Sequence, residues 1–553
     1  MKVFAGLLFF LFFSILVNCQ VANSNLYYWI KFKDKSNNGF TLSNPSAFLS
    51  QQSINRRTQQ GIAIDSSDLP VTQVYIDSIS PYTNRLVHRL KWFNMIVVEI
   101  DNPVNLLSLK HFSFIDSVAP IASFPYKSLL AGSKFESAIP VDQQIVYPDI
   151  HGAAYEQLSM MNGDLLHQMG YRGQGIIISL MDNGLVGTGI AHAFDSVRPR
   201  ILDEWDFVNN QPDLYYDPGN GSHGTATFSC IAGNVPNYYV GSAPEASFCL
   251  FQSEDNSAEW VMEEYNWAAA AERADSDGAQ IFSTSLGYTT FDNDIGDNTY
   301  ADLTGNTAVM TMAGNIASSK GIIVFNSAGN DGDDNWYYIS VPADGDSIIA
   351  VGAVDSNRYI APFSSNGPNS SGRIKPDLCA QGYPAYVVTS SGDIGAESGT
   401  SFSCPTLAGC AASLWSAFPG KTAKDIQTAI MMSADRYMCP NNQYGYGVPN
   451  FYNAYLLLET GFNTNLLQTG NSITVYPNPF SAQLNVSFYG DTAGNHTIRI
   501  FDLQGREVYS GQFYVRNKTY ELVPIDTAFL ADGVYILSFD NSKQNARKIV
   551  KMK

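Results

Sequence analysis

Ile176-Ile177-Ile178-Ser179-Leu180-Met181-Asp182 follows Gly173 and Gly175 and runs straight into Asn183-Gly184. A continuous apolar, β-branched run of this length, bounded by turn residues, reads as a strand buried on both faces. Similar runs recur at Ser247–Phe251, Ala279–Leu286, Gly321–Ser327 and Ser347–Val354. Helical patterns lie between most of them, notably Glu259–Ala274, and a further helix is expected over 157–169 on Leu158, Met161, Leu165 and Leu166. This alternation predicts an α/β unit over 151–460, a mainly parallel sheet with helices on both faces. In such a sheet, polar residues at strand ends are where a site is built, and Asp182 is one of them.

Two more chemically capable residues share its setting. His223 lies in Ser222-His223-Gly224-Thr225 before an apolar helical run. Ser401 lies in Gly399-Thr400-Ser401-Phe402-Ser403-Cys404-Pro405, ahead of a small-residue apolar segment that reads as a buried helix with Pro405 in its first turn. Taken singly, these are a turn, a structural histidine and a cap. Together they are an Asp–His–Ser set in one of the known triad orders, each member close to a glycine. A serine hydroxyl is too weak an acid to attack an amide unaided. An imidazole must take its proton, and a carboxylate must fix the ring's tautomer and stabilise the imidazolium. Asn330, in Ser327-Ala328-Gly329-Asn330 after a strand, supplies the fourth part: an amide N–H for the oxyanion, with the Ser401 backbone N–H as second donor.

The flanks differ in character. Residues 1–19 carry Met1-Lys2, an apolar run from Ala5 to Val17 and a polar exit, the pattern of a cleaved Sec signal peptide. Residues 25–120 read as a small α+β unit. Its expected strands are Leu26–Phe32, Phe93–Ile100 and Phe114–Val118, and its helices start at Asn44-Pro45 and Asn102-Pro103. This pattern suits a ferredoxin-like sandwich. Residues 121–150 lack periodicity and read as a linker and cleavage region. Beyond 471, alternating strands such as Leu484–Phe488, Thr497–Phe501 and Val534–Phe539 suggest a small all-β sandwich.

A formal net charge of −19 over 553 residues argues against a nucleic-acid partner. No stretch after the leader is long and apolar enough for a transmembrane anchor. Six cysteines remain after Cys19, open to disulfide pairing or to burial as free thiols, and no CxxC spacing suggests zinc.

The ordered segments Asp182-Asn183-Gly184, His223-Gly224-Thr225, Ser283-Thr284-Ser285-Leu286-Gly287, Ala328-Gly329-Asn330 and Gly399–Pro405 resemble the successive signatures of the subtilisin-like serine peptidases. Ser364-Ser365-Asn366-Gly367-Pro368 and Lys375-Pro376-Asp377 match the family's later segment. The resemblance covers about 160 to 455. It implies Asp182, His223 and Ser401 as triad and Asn330 as oxyanion donor. It also implies that Ser285, Leu286 and Gly287 offer backbone to an extended peptide, with protein or peptide as substrate. Asn183 departs from the family, which generally has Ser or Thr there.

The first unit is similar to that family's propeptides, which act as folding chaperones and temporary inhibitors. The tail resembles the sorting domain of proteins exported by the type IX secretion system of Bacteroidetes. Val475-Tyr476-Pro477-Asn478-Pro479-Phe480, Asp502-Leu503-Gln504-Gly505-Arg506, Ala531-Asp532-Gly533-Val534-Tyr535 and Lys548-Ile549-Val550-Lys551 carry that likeness.

The expectation is a secreted or surface-located serine endopeptidase acting through an acyl-enzyme and needing no cofactor for its chemistry. Its rival is a catalytically inactive, surface-exposed protein that binds through the same fold. The resemblance admits structural calcium without placing it. Asp292-Asn293-Asp294 through Asp297, and Asp331-Gly332-Asp333-Asp334, have the oxygen ligands that ion prefers.

Overall fold

The computed structural model describes residues 26–102, 104–123, 139–140, 149–216, 220–292, 296–461, 472–476, 478–490, 494–515, 519–540 and 542–552. The expected leader at 1–19 and most of the expected linker at 121–150 lie outside them.

The N-terminal unit runs β1 (Leu26–Phe32), α1 (Gln51–Gln60), α2 (Gln73–Ile79), β2 (Arg85–Leu90), β3 (Met95–Glu99), α3 (Val104–Leu109) and β4 (Ile115–Ser123). Its sheet is antiparallel in the order β2-β3-β1-β4, the ferredoxin-like arrangement. The helix expected from Asn44-Pro45 is only a short 3₁₀ turn there. The α-helix proper starts at Gln51, where the Ser50 hydroxyl accepts the Ser53 N–H at 3.1 Å.

Strand alternation divides this sheet between two cores. Tyr28, Ile30, Phe32, Ile96 and Val98 face the unit's own helices, whereas Tyr27, Leu90, Trp92, Met95 and Val97 join a core built on the next unit. β3 is therefore buried on both faces, which is why its sequence lacks the polar alternation of an open sheet.

A two-residue strand, β5 (Ile139–Pro140), leads into the central unit. There α4 (Tyr155–Ser159) and α5 (Gly163–Gln168) replace the single helix expected over 157–169. Asn162 adopts a left-handed φ of 56°, and a Cβ on Gly163 would lie 2.6 Å from the Cys410 Sγ, so close packing breaks the helix. The chain continues through β6 (Ile177–Asp182), β7 (Ile201–Asp206), α6 (His223–Ala232), the hairpin β8 (Asn234–Val235) and β9 (Tyr239–Val240), and β10 (Ser247–Gln252). Next come α7 (Met262–Asp277), β11 (Ile281–Thr284), α8 (Val309–Ser319), β12 (Ile323–Ser327), β13 (Ile348–Asp355) and β14 (Leu378–Tyr383). The hairpin β15 (Ala385–Val388) and β16 (Ile394–Glu397), then α9 (Thr400–Ala417), α10 (Ala423–Met432) and α11 (Phe451–Glu459) complete the unit.

Seven strands form one parallel sheet in the order β14-β13-β12-β11-β6-β10-β7. Ile178 and Leu180 of β6 pack with α6 and α9 on one face; Ile177 and Met181 pack with α7 and α8 on the other. The chain leaves β6 towards β7 and β10, then returns to its other side with β11. That reversal opens a crevice at the carboxyl ends of β10, β6, β11 and β12. Separately, β5 pairs antiparallel with β16, the strand that leads to Ser401.

The N-terminal unit docks on α7 and α8. The Glu272 carboxylate accepts the backbone N–H groups of Lys91 and Trp92 at 2.6 and 2.8 Å. His88 Nε2 lies 2.7 Å from Asn266 Oδ1. Arg57, fully buried, bonds Asp275 across the interface and Asp68 on its own side, while Lys320 reaches back to Asp68.

The C-terminal unit has β17 (Ser472–Tyr476), β18 (Gln483–Gly490), β19 (Gly494–Phe501), β20 (Glu507–Val515), β21 (Thr519–Asp526), β22 (Gly533–Phe539) and β23 (Ser542–Lys551). They form two antiparallel sheets, β17-β18-β21 and β20-β19-β22-β23, over a shared core that includes Leu484, Ile500 and Leu537.

Candidate active site

Asp182 is the last residue of β6 and is fully buried. One oxygen, Oδ1, accepts the Asn183 N–H at 2.8 Å and lies 2.7 Å from His223 Nδ1; the other, Oδ2, accepts the Thr227 hydroxyl at 2.9 Å. A carboxylate facing Nδ1 fixes the proton of the neutral ring on that nitrogen, which leaves Nε2 with its lone pair. His223 opens α6, and Thr227 reaches the same carboxylate because positions four apart share a helix face. The loops meet closely enough that a Cβ on Gly224 would lie 2.3 Å from the Gly184 carbonyl oxygen.

Ser401 is the second residue of α9, and 7% of its surface is exposed. Its neighbour Phe402 packs its ring 5.7 Å from that of His223, so α6 and α9 bring the histidine and the serine segment together. Pro405 differs from expectation: it is the sixth residue of α9, in the second turn rather than the first. Lacking an N–H, it cannot serve the Ser401 carbonyl one turn back. The Ser285 hydroxyl, from the loop after β11, donates to that carbonyl at 2.7 Å instead. The Ser401 Oγ in turn lies 3.5 Å from the Ser285 carbonyl oxygen.

Asn330 follows β12 and is exposed. Its Oδ1 accepts both the Thr400 N–H and the Thr400 hydroxyl at 2.9 Å. Two donors on one atom orient the amide, so Oδ1 points at Thr400 and Nδ2 remains a donor, 3.6 Å from where a Cβ on Gly399 would lie. Ser285, Leu286 and Gly287 leave the sheet after Thr284, two residues before the expected strand end. Leu286 is buried and its carbonyl accepts Asn326 Nδ2–H at 2.9 Å, whereas Gly287 is exposed, as backbone offered to a ligand would be.

The structure thus gathers Asp182, Ser285 and Asn330 at the ends of three adjacent strands, with His223 and Ser401 in the first turns of two helices above them. Thr227, Thr400 and Asn256, whose Oδ1 accepts Asn183 Nδ2–H at 2.9 Å, are not read from the sequence. Thr227 was recoverable from helical spacing, but Asn256 carried no signal.

Of the two acidic loops, the first spans Asp292–Asp297 and the second Asp331–Asp334. Residues 293–295 of the first lie outside the described residues, and Asp297 Oδ1 accepts the Phe291 N–H. Burial, and then Asp334, push the Asp331 carboxyl up in the second. Among the described residues, Glu254, Glu259 and Glu263 form a group of three carboxylates within 4.8 Å of one another. Glu254 accepts the Tyr288 hydroxyl, and Glu263 accepts the N–H groups of Asp255 and Trp260. The six cysteines of the described residues are free thiols, five of them buried and Cys439 exposed.

Residues 173–447 match the model of the subtilase family. Residues 27–133 match the peptidase S8 propeptide domain of Bacteroidota, and 474–552 match the secretion system C-terminal sorting domain. Subtilisin E of Bacillus subtilis (strain 168) is 27% identical over 349 residues, covering 62% of this chain and 81% of its own. The subtilisin of Bacillus pumilus is 28% identical over 301 residues, 53% and 95% of the two chains. Thermitase of Thermoactinomyces vulgaris is 29% identical over 285 residues, 51% and 89%. The sorting domain marks the chain for type IX secretion, and no helix among the described residues is long and apolar enough to cross a membrane. With its parallel sheet framed by those two flanking domains, the chain belongs to the subtilase family and is a serine-type endopeptidase.

Proposed function

We propose that this peptidase cleaves peptide bonds through Asp182, His223 and Ser401. The observation that carries the reading is the 2.7 Å contact between His223 Nδ1 and a fully buried carboxylate, with Ser401 presented at the start of α9 beside it. The peptide substrate lies extended along Ser285, Leu286 and Gly287. Ser401 Oγ attacks the scissile carbonyl carbon as His223 Nε2 takes its proton. The oxyanion forms against Asn330 Nδ2–H and the Ser401 N–H, donors already oriented before charge develops. Collapse breaks the C–N bond, and the imidazolium returns the proton to the departing amine. Water, deprotonated by the same nitrogen, then frees the acyl group and restores the serine.

In this reading 151–460 is the catalytic unit and 471–553 the sorting domain. The 25–120 domain, docked on α7 and α8, is the enzyme's own inhibitor; the leader at 1–19 is removed, and 121–150 is the linker in which activation cleavage falls. The chemistry runs on side chains alone; a structural calcium ion would add stability only. Labelling the mature protein with a fluorophosphonate tests the assignment. Modification of Ser401, absent in Ser401→Ala together with all proteolysis, is expected. An unmodified Ser401 in a protein that still digests casein overturns it.

A further inference from the structure

Asn183, the departure from the family pattern, is engaged on every side. Its Oδ1 accepts the Gly224 N–H at 3.1 Å, its Nδ2 donates to Asn256 Oδ1 at 2.9 Å, and its carbonyl accepts Asn256 Nδ2–H at 2.9 Å and Gly221 N–H at 2.9 Å. The orientation of both amides is determined by their neighbours. Gly224 N–H can only donate and a carbonyl can only accept, so flipping either amide would set like against like. Asn183 is 2% exposed, and a Cβ on Gly221 would lie 2.2 Å from its Nδ2 and 2.6 Å from Asn256 Oδ1. Only glycine leaves room for the pair.

Local structure explains why the pair is needed. The first N–H groups of a helix have no partner within it, and a residue at the cap usually supplies one. Ser222, at the cap of α6, makes no such bond. The Gly224 N–H, one residue after His223, is instead held by Asn183, one residue after Asp182. Two parallel ties, Asp182 to His223 and Asn183 to Gly224, therefore span the same gap. Asn256, in the loop after β10, clamps the second tie from behind.

We propose that Asn256, acting through Asn183, is a positioning residue for the reaction: the paired amides keep the His223 ring on the Asp182 carboxylate. This rests on the triad reading. The asparagine amide serves the helix N–H with its oxygen and the second loop with its nitrogen at once.

The test uses Asn183→Ala, Asn256→Ala, their double variant and Asn256→Asp, each made from the full-length chain, with rates taken per fluorophosphonate-titrated site. Asn256→Ala is expected to lower kcat about tenfold or more with KM changed less than about threefold, since small misplacements of reacting groups cost rate rather than binding. The double variant is expected to fall no further than about twofold below Asn183→Ala, because the two act as one unit. Asn256→Asp keeps the acceptor for Asn183 Nδ2–H and loses only the donor to the Asn183 carbonyl, so its kcat should lie at least about threefold above that of Asn256→Ala. Additive losses, a change in KM alone, or an Asn256→Asp kcat no higher than that of Asn256→Ala would overturn the inference while leaving Ser401 labelling intact. Failure of Ser401 to label in the wild type removes the triad reading and this inference together.

Discussion

Asp275→Ala strikes the charged centre of the docked propeptide. The carboxylate is fully buried; it accepts Arg57 at 2.8 and 3.0 Å and a further bond from Arg56, with Lys91 Nζ at 3.7 Å. Burial pushes its pKa up, yet Arg56, Lys91 and Arg57 outweigh that and hold it at about 2. Removing it leaves two buried guanidinium groups facing each other with only Asp68 to answer them. Breaking a buried pair from one side costs about 3–5 kcal/mol. At 1.36 kcal/mol per decade, the undocking equilibrium should shift by roughly two to three and a half orders of magnitude. The assay is limited proteolysis of the full-length chain in a Ser401→Ala background, where self-cleavage cannot intervene. In the fast-opening regime the rate at which an added protease removes the propeptide follows the undocked population, so it should rise about a hundredfold or reach its ceiling. A rise of less than threefold, with the circular dichroism unchanged, would refute the claim that this carboxylate holds the interface.

Ser285→Ala should leave the Ser401 carbonyl, already denied a partner by Pro405, without a donor. A loss of about 1–3 kcal/mol in thermal or denaturant unfolding is expected, with slower fluorophosphonate labelling. Asn330→Ala should lower kcat by about a hundred- to a thousandfold with little change in KM, the range such donors show in general; equal kcat would exclude it from the oxyanion site. Burial, reinforced by His151 and Arg172, depresses His167 to about 3. A histidine held neutral in this way contributes stability that is complete above about pH 6.5 and lost as pH falls towards 3. Wild type should therefore lose about 3 kcal/mol more than His167→Gln between pH 7 and pH 4, read from urea unfolding. Dialysis against a chelator should leave the labelling rate per folded molecule unchanged, whatever it does to the melting temperature.

Much of the architecture was written in local pattern. Short, largely apolar runs make β6, β10, β12 and β13 buried strands wherever they are placed, and the glycines close to Asp182, His223 and Asn330 mark the loops where backbone comes close. The candidate triad and Asn330 stand out in the sequence by their own type and covalent neighbours. Less local features do not. The strand Arg85–Leu90 has no apolar run, because only its contact with α7 buries it. The helix expected over 157–169 has good periodicity but breaks where Gly163 meets Cys410, a residue about 250 positions away.

What the amino-acid order determined alone was therefore the set of elements and the chemistry at their ends, since both depend on interactions within a few residues. Tertiary structure decided which ends meet: the order β12-β11-β6-β10, Ser285 beneath the Ser401 carbonyl, and Asn256 behind Asn183. Those contacts join segments that are distant in the chain. They arise only when burial of the two faces of one sheet brings those ends to a single crevice.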